Sequence, residues 1–240
     1  MRQQAGRGAY AEQLAPGVYR IDAIGLSQLV NVFAIEGDDG WTLVDTGISS
    51  SPKRIQAALK SLGVAPGVVT SIYLTHHHLD HIGGLPAMGT WASDAEIVAP
   101  EHEAEIIAGE RPADMSSNSV FRLMQRFGRL PVVSVTRSVR EGAIIAGFRV
   151  IATPGHSLGH TSLLSDHHGV LLTGDAFGAM PRKLRVGVRQ AFCADPAMAK
   201  GSAEKLLAEE FRTVAFSHGP VWRDRPKDRL RQIIADCRYA

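Results

Sequence analysis

The chain has 240 residues, 45% of them hydrophobic, and 26 Lys and Arg against 24 Asp and Glu leave a formal net charge of +2. That is enough apolar material to fill a core without a staple, and the two cysteines, Cys193 and Cys237, are too few for a disulfide framework. So mild a charge argues against nucleic acid as a partner: the basic runs Arg182-Lys183-Leu184-Arg185 with Arg189, and residues 223–229, have no aromatic interleaving and read as solvated faces.

Residues 1–14 read as a short, loosely attached amino-terminal arm, and 15–240 as one domain. The first fifteen residues hold no apolar run of signal-peptide type, and no segment approaches membrane-spanning length. The expectation is a soluble, cytoplasmic protein with no membrane partner, for which a homodimer is one open assembly.

Residues 17–21, 31–36 and 41–44 read as strands, the last two joined by the turn Gly37-Asp38-Asp39-Gly40. Ser50-Ser51-Pro52 starts a helix in which Ile55, Leu59 and Leu62 recur at helical spacing before Gly63. An apolar strand over 68–74 follows. After it come a short helix (84–91), a strand (96–99) and a Pro-started helix (100–108). Residues 111–118 read as a loop. Val120, Phe121, Met124, Phe127 and Leu130 then form an apolar stripe at helical spacing, which ordinarily belongs to a core. The second half repeats the plan, with strands over 144–145, 148–152, 161–164, 169–172 and 213–217 and helices over 196–210 and 226–237. Two sets of strands, each followed by helices, predict an α/β fold with two stacked sheets and helices on both outer faces.

The chemistry is concentrated in Thr75-His76-His77-His78-Leu79-Asp80-His81-Ile82-Gly83-Gly84, directly after the strand over 68–74. His76 and His78 are two residues apart, so on extended backbone they project to one side and can share a metal. Asp80 and His81 follow once the strand pattern breaks, where the chain can turn to offer a second pair of donors. Imidazole with carboxylate suits zinc, iron and related ions in a hydrolytic, partly wet site. His156, Asp175 and His218 each stand just after an apolar strand, so one sheet edge could gather every donor. His102, His167 and His168 have contexts that call for no chemistry.

The run His76-x-His78-x-Asp80-His81 with Gly83-Gly84 resembles the metal-binding motif of the metallo-β-lactamase superfamily. Four further stretches continue the likeness: Leu43-Val44-Asp45-Thr46-Gly47, Thr153-Pro154-Gly155-His156-Ser157-Leu158-Gly159-His160-Thr161, Leu172-Thr173-Gly174-Asp175-Ala176 and Ser217-His218-Gly219. The resemblance implies an αββα sandwich of two mixed sheets. It implies two zinc ions, with iron or manganese as alternatives, one on His76, His78 and His156, the other on Asp80, His81 and His218, with Asp175 bridging. Asp45 and His160 would support the ligands from behind. His77 would be packed or solvated rather than ligating. Insertions near residues 111–131 shape the pocket in this superfamily, which makes Phe121, Met124 and Phe127 candidate pocket residues, while Phe177 or Phe192, between Asp175 and His218, could line a wall. The implied reaction is attack of a dizinc-bound hydroxide on a lactone, ester or thioester of a small molecule, with Asp80 as proton acceptor. The loop Gly155-His156-x-x-Gly159-His160 together with His81 and Asp175 is similar to the glyoxalase II and lactonase branches. The alternatives are β-lactam hydrolysis, which the bridging Asp175 disfavours, and an iron-dependent persulfide dioxygenase, which Ala176-Phe177-Gly178-Ala179-Met180 does not match.

Overall fold

The computed structural model describes residues 11–179 and 183–238, so residues 1–10 of the expected arm and Arg182 of the first basic run lie outside the described residues. Residues 11–14, assigned above to the arm, instead belong to strand β1 (Ala11–Ala15), which pairs antiparallel with β2 (Val18–Asp22) across a tight turn. Leu14 points into the core, so this segment is anchored by burial as well as by its ladder.

Strands β3 (Asn31–Gly37) and β4 (Gly40–Val44) complete an antiparallel meander. Helix α1 (Pro52–Ser61) leads to β5 (Val69–Tyr73), a single turn of helix α2 (Leu79–Ile82) and α3 (Leu85–Trp91), then β6 (Glu96–Pro100) and α4 (Glu101–Ile107). After α5 (Ser119–Gln125), β7 (Arg137–Val139) closes a seven-stranded sheet in which β4 to β7 run parallel. The second sheet has six strands: β8 (Ile144–Ile145), β9 (Phe148–Ala152), β10 (Thr161–Ser165), β11 (Val170–Leu172), β14 (Thr213–Ala215) and β15 (Val221–Trp222). Between β11 and β14 lie the hairpin β12 (Phe177–Ala179) and β13 (Leu184–Val186) and helix α6 (Pro196–Ala208), and α7 (Pro226–Ala235) follows β15.

The strands are apolar on both faces because both faces are covered. Phe33, Tyr73, Val98 and Phe148 meet Val150, Leu163 and Leu172 between the sheets. Their chain neighbours Val32, Ile72 and Ile97 face α1, α3 and α4, while Ile151, Leu164 and Leu171 face α6 and α7. This is the expected αββα sandwich. At one edge polar bonds join the two sheets: Tyr73 Oη pairs with Thr161 Oγ1 at 2.8 Å, and Asn31 Nδ2 donates to Phe216 O at 2.9 Å and to Gly219 O at 3.0 Å. No helix among the described residues is long and apolar enough to cross a membrane.

Candidate metal centre

The donors gather at that cross-linked edge. Beyond Tyr73 the chain leaves the strand and reaches an extended His78 ahead of α2, and His76 and His78 converge, with His76 Nε2 3.2 Å from His78 Nδ1. His78 Nδ1 lies 2.9 Å from His156 Nε2. Helix α2 then turns the chain, placing Asp80 Oδ2 3.2 Å from His218 Nε2 and Asp80 Oδ1 4.0 Å from His81 Nε2. The turn needs Gly84, where a Cβ would come within 2.3 Å of Thr46 O. Asp175 sits between the two groups: Oδ2 is 3.2 Å from His156 Nε2 and 3.5 Å from His218 Nε2, and Oδ1 is 3.5 Å from His81 Nε2.

The outer ring nitrogens are tied down. His76 Nδ1 meets Thr75 Oγ1 at 3.1 Å, His81 Nδ1 meets Asp45 Oδ2 at 2.8 Å, His156 Nδ1 meets Gly187 O at 3.2 Å and His218 Nδ1 meets Leu29 O at 2.5 Å. With the outer nitrogens donating, the Nε2 atoms of His76 and His156 turn lone pairs inward, while those of His81 and His218 face the carboxylates of Asp175 and Asp80. His76, His78 and His156 form one group with mutually close ligand atoms, Asp80, His81 and His218 another, and His76, His81 and Asp175 a third that links them. A tetrahedral ion with bonds of about 2.0–2.1 Å spaces its donors by roughly 3.3 Å, close to the observed separations. His81 Nε2 and Asp175 Oδ1 are buried without a hydrogen-bond partner. Converging ring nitrogens and carboxylates, with two buried polar atoms left without a partner, fit divalent-metal binding.

Electrostatics agree. Burial, reinforced by neighbouring imidazoles, holds His76 and His78 well below the usual imidazole range. For Asp175 burial opposes ionisation, but His218, His81 and His156 outweigh it and keep the carboxyl well below its ordinary range. Burial also opposes charge on His81, yet Asp175 and Asp45 lift it to about 10. A metal at His81 therefore has to displace a proton.

Asp45 is buried at φ 62°, a strained conformation for a non-glycine residue, and its Oδ1 accepts from Thr75 N at 2.8 Å. It thus holds both Thr75 and His81. His160 lies behind Asp175, its Nε2 accepting from the Asp175 backbone N–H at 2.8 Å while Nδ1 faces Thr153 Oγ1 at 2.9 Å. Burial brings His160 down to about 3, which keeps it neutral and able to accept.

A cavity of about 410 Å³ opens over the donors. Phe121 lines it, but two of the expected wall residues do not: Met124 and Phe127 are 64% and 81% exposed and turn outward. Phe177 is fully buried in the core beneath α6 and α7. Helix α5 is only two turns long, and its inward positions are Phe121 and Gln125, so the rest of the stripe faces solvent. Phe192 completes the wall, its ring centroid 4.6 Å from that of Phe121.

Sequence reasoning missed two acids. Glu103, wholly buried in the first turn of α4, accepts from His77 N at 2.8 Å and His77 Nδ1 at 2.6 Å on one side. On the other it accepts from Ser157 Oγ at 2.6 Å and Gly159 N at 3.0 Å. Asp114 accepts from His102 Nε2 at 3.0 Å and Leu158 N at 2.6 Å. His77, Glu103 and Asp114 also come close enough to resemble a metal group, but hydrogen bonds already engage both carboxylates, so they act as latches on the 157–159 loop. A conspicuous acid in the sequence would have been no guide, since first-turn acids are common on helices.

The sequence matches the model of the metallo-beta-lactamase superfamily over residues 28–218. The chain belongs to that superfamily. Among curated proteins the chain is similar to the uncharacterized protein YobT of Bacillus subtilis, 29% identical over 85% of this chain and 89% of its own. A hydroxyacylglutathione hydrolase of Photobacterium profundum is 27% identical over 65% of this chain and 50% of its own. The solved metallo-beta-lactamase from Pontibacter korlensis superposes with a TM-score of 0.70 over 95% of this chain and 100% of its own, at 15% identity, a likeness of fold alone. Membership of this superfamily makes the protein a metal-binding hydrolase.

Proposed function

We propose that the protein is a dizinc hydrolase that cleaves the acyl bond of a lactone, ester or thioester in a small molecule. The observation that supports this best is the pair of three-residue donor groups sharing Asp175 at the floor of one largely apolar cavity. His76, His78 and His156 would hold one ion and Asp80, His81 and His218 the other. Bound there, the ions would supply Lewis acidity and a water acidic enough to ionise near neutral pH.

The chain's own residues account for the rest. Thr75, Asp45, Gly187 O and Leu29 O fix the imidazole tautomers, so the donors need no rearrangement before binding. Asp80 lines the cavity with its side chain 33% exposed. Desolvation works against its ionisation, but the His218 contact and His81 outweigh it and hold the carboxyl below its usual range. It is therefore ionised and placed to take a proton from an attacking water. Phe121, Phe192, Leu130 and Met115 exclude water around the acyl group. A small-molecule substrate, with neither nucleic acid nor membrane as partner, and a cytoplasmic setting belong to the same proposal.

The test is proton release by the zinc-loaded protein on a panel of acyl-homoserine lactones, simple lactones, lactoylglutathione, aryl esters and β-lactams. Turnover of an oxygen or sulfur ester well above the β-lactams is expected. A preference for β-lactams, or activity that appears only with iron and a persulfide, would replace this reading.

A further inference from the structure

Besides the candidate metal donors, the cavity lining is largely apolar and includes Ala113, Met115, Phe121, Leu130, Val188 and Phe192. One arginine, Arg126, lines the same cavity from the turn that follows α5, with its side chain exposed. Among the described residues Arg126 has no hydrogen bond or ion pair. Asp114 also lines the cavity, but its oxygens are engaged by His102 Nε2 and Leu158 N. Asp80 and Asp175 are committed to the metal donors. The protein thus brings a permanent cation to an apolar cavity and gives it no counter-ion.

Its neighbours add to the field without competing for the role. Arg122, exposed like Arg126, does not line the cavity, and Arg189 lies 5.8 Å from the Phe192 ring centroid, packed on the wall itself. The tilted pair Phe121 and Phe192 adds apolar ring surface to the same cavity as the donors and Arg126. Arginine presents a planar fork of donors matched to a carboxylate, and an apolar surround strengthens such a contact relative to open water.

We propose that Arg126 is the anion-binding end of the substrate cavity, and that the preferred substrate is an acyl compound with an apolar body and a carboxylate remote from the scissile carbonyl. The proposal deepens the hydrolase reading and rests on it for the identity of the bond cleaved.

The test uses the zinc-loaded full chain and two esters with the same scissile bond, 4-nitrophenyl hydrogen adipate and its methyl-capped counterpart. The ratio of kcat/KM for the free acid over the capped ester reads the anion contact, and each variant serves as its own control. A charged hydrogen bond at a partly exposed site predicts a wild-type ratio of about ten. Arg126→Ala should bring it close to one, and Arg126→Glu below one. Arg122→Glu should leave it near the wild-type value. A ratio that survives Arg126→Glu, or that Arg122→Glu lowers equally, overturns the assignment. Calorimetry with 4-phenylbutyrate gives a binding readout that needs no turnover: affinity about tenfold weaker in Arg126→Glu supports the site, and equal affinity overturns it. Failure of the wild type to cleave either ester counts against the hydrolase reading instead, while calorimetry still decides the anion site.

Discussion

Glu103 carries more of the metal centre than its distance from the chemistry suggests. Its carboxylate joins the backbone between His76 and His78 to the loop between His156 and His160, so two metal-bearing segments share one buried acid. Burial pushes its pKa up, but hydrogen bonds from His77 and Ser157 outweigh burial and bring it below the usual value. Glu103→Ala would strand four buried donors, so a loss of about 3 kcal/mol or more in stability is expected. Zinc affinity should fall at least about tenfold, as for other supports behind a metal ligand. Glu103→Gln, whose amide oxygen can still accept, should recover part of both. Thermal unfolding and chelator competition check this, and unchanged zinc affinity in Glu103→Ala would remove the positioning role. His76, His78, Asp80, His81, His156, Asp175 and His218 were legible in the sequence because they stand in short motifs at strand ends. Glu103 was not, because its partners are 26 and more than 50 positions away and no local pattern marks a carboxylate that folding alone surrounds.

At the scale of elements, α5 shows where periodicity stops being informative. The apolar spacing from Val120 to Leu130 is helical, yet Val120, Leu123, Met124 and Phe127 are 70%, 56%, 64% and 81% exposed. Spacing fixes that a face exists but not which way it points. The choice is made by Gln125, whose Oε1 accepts from Ser116 N at 2.8 Å and so turns that side inward together with Phe121. Replacing Leu123 and Phe127 with Ser should therefore change stability by less than about 0.5 kcal/mol each in a thermal scan. A loss of several kcal/mol would show that the stripe is packed after all. The β12 and β13 hairpin went unread for a different reason: strands of three residues, one of them Phe177-Gly178-Ala179, are too short to show alternation. The longer strands were read nearly to their ends, since continuous apolar runs mark strands covered on both faces.

For the whole molecule, the metal-free protein carries opposing histidines. His160 is brought to about 3 by burial, so below pH 6.5 the unfolded chain takes up a proton that the fold refuses, and stability falls with acid. His76 and His78 act in the same direction. His81, raised to about 10, holds a proton that the unfolded chain releases above 6.5, so its contribution is full below 6.5 and is lost as pH rises toward 10. The metal-free melting temperature should therefore peak near pH 6.5. Zinc, which displaces the His81 proton, should flatten the alkaline limb. Differential scanning calorimetry from pH 5 to 10 would show this, and a metal-free midpoint that climbs steadily to pH 10 would contradict it.

The sharing of donors between the two halves of the sandwich has a temporal side. The first four donors are complete at His81, whereas the last, His218, follows roughly 140 residues later. At about 5–20 residues per second of synthesis, those four wait on the order of ten to thirty seconds for their remaining partners. During that interval the nascent chain displays an unfinished set of candidate chelating groups. Completion of the set thus waits for residue 218, and a ribosome that stalls before it releases a product with His218 missing from the cluster.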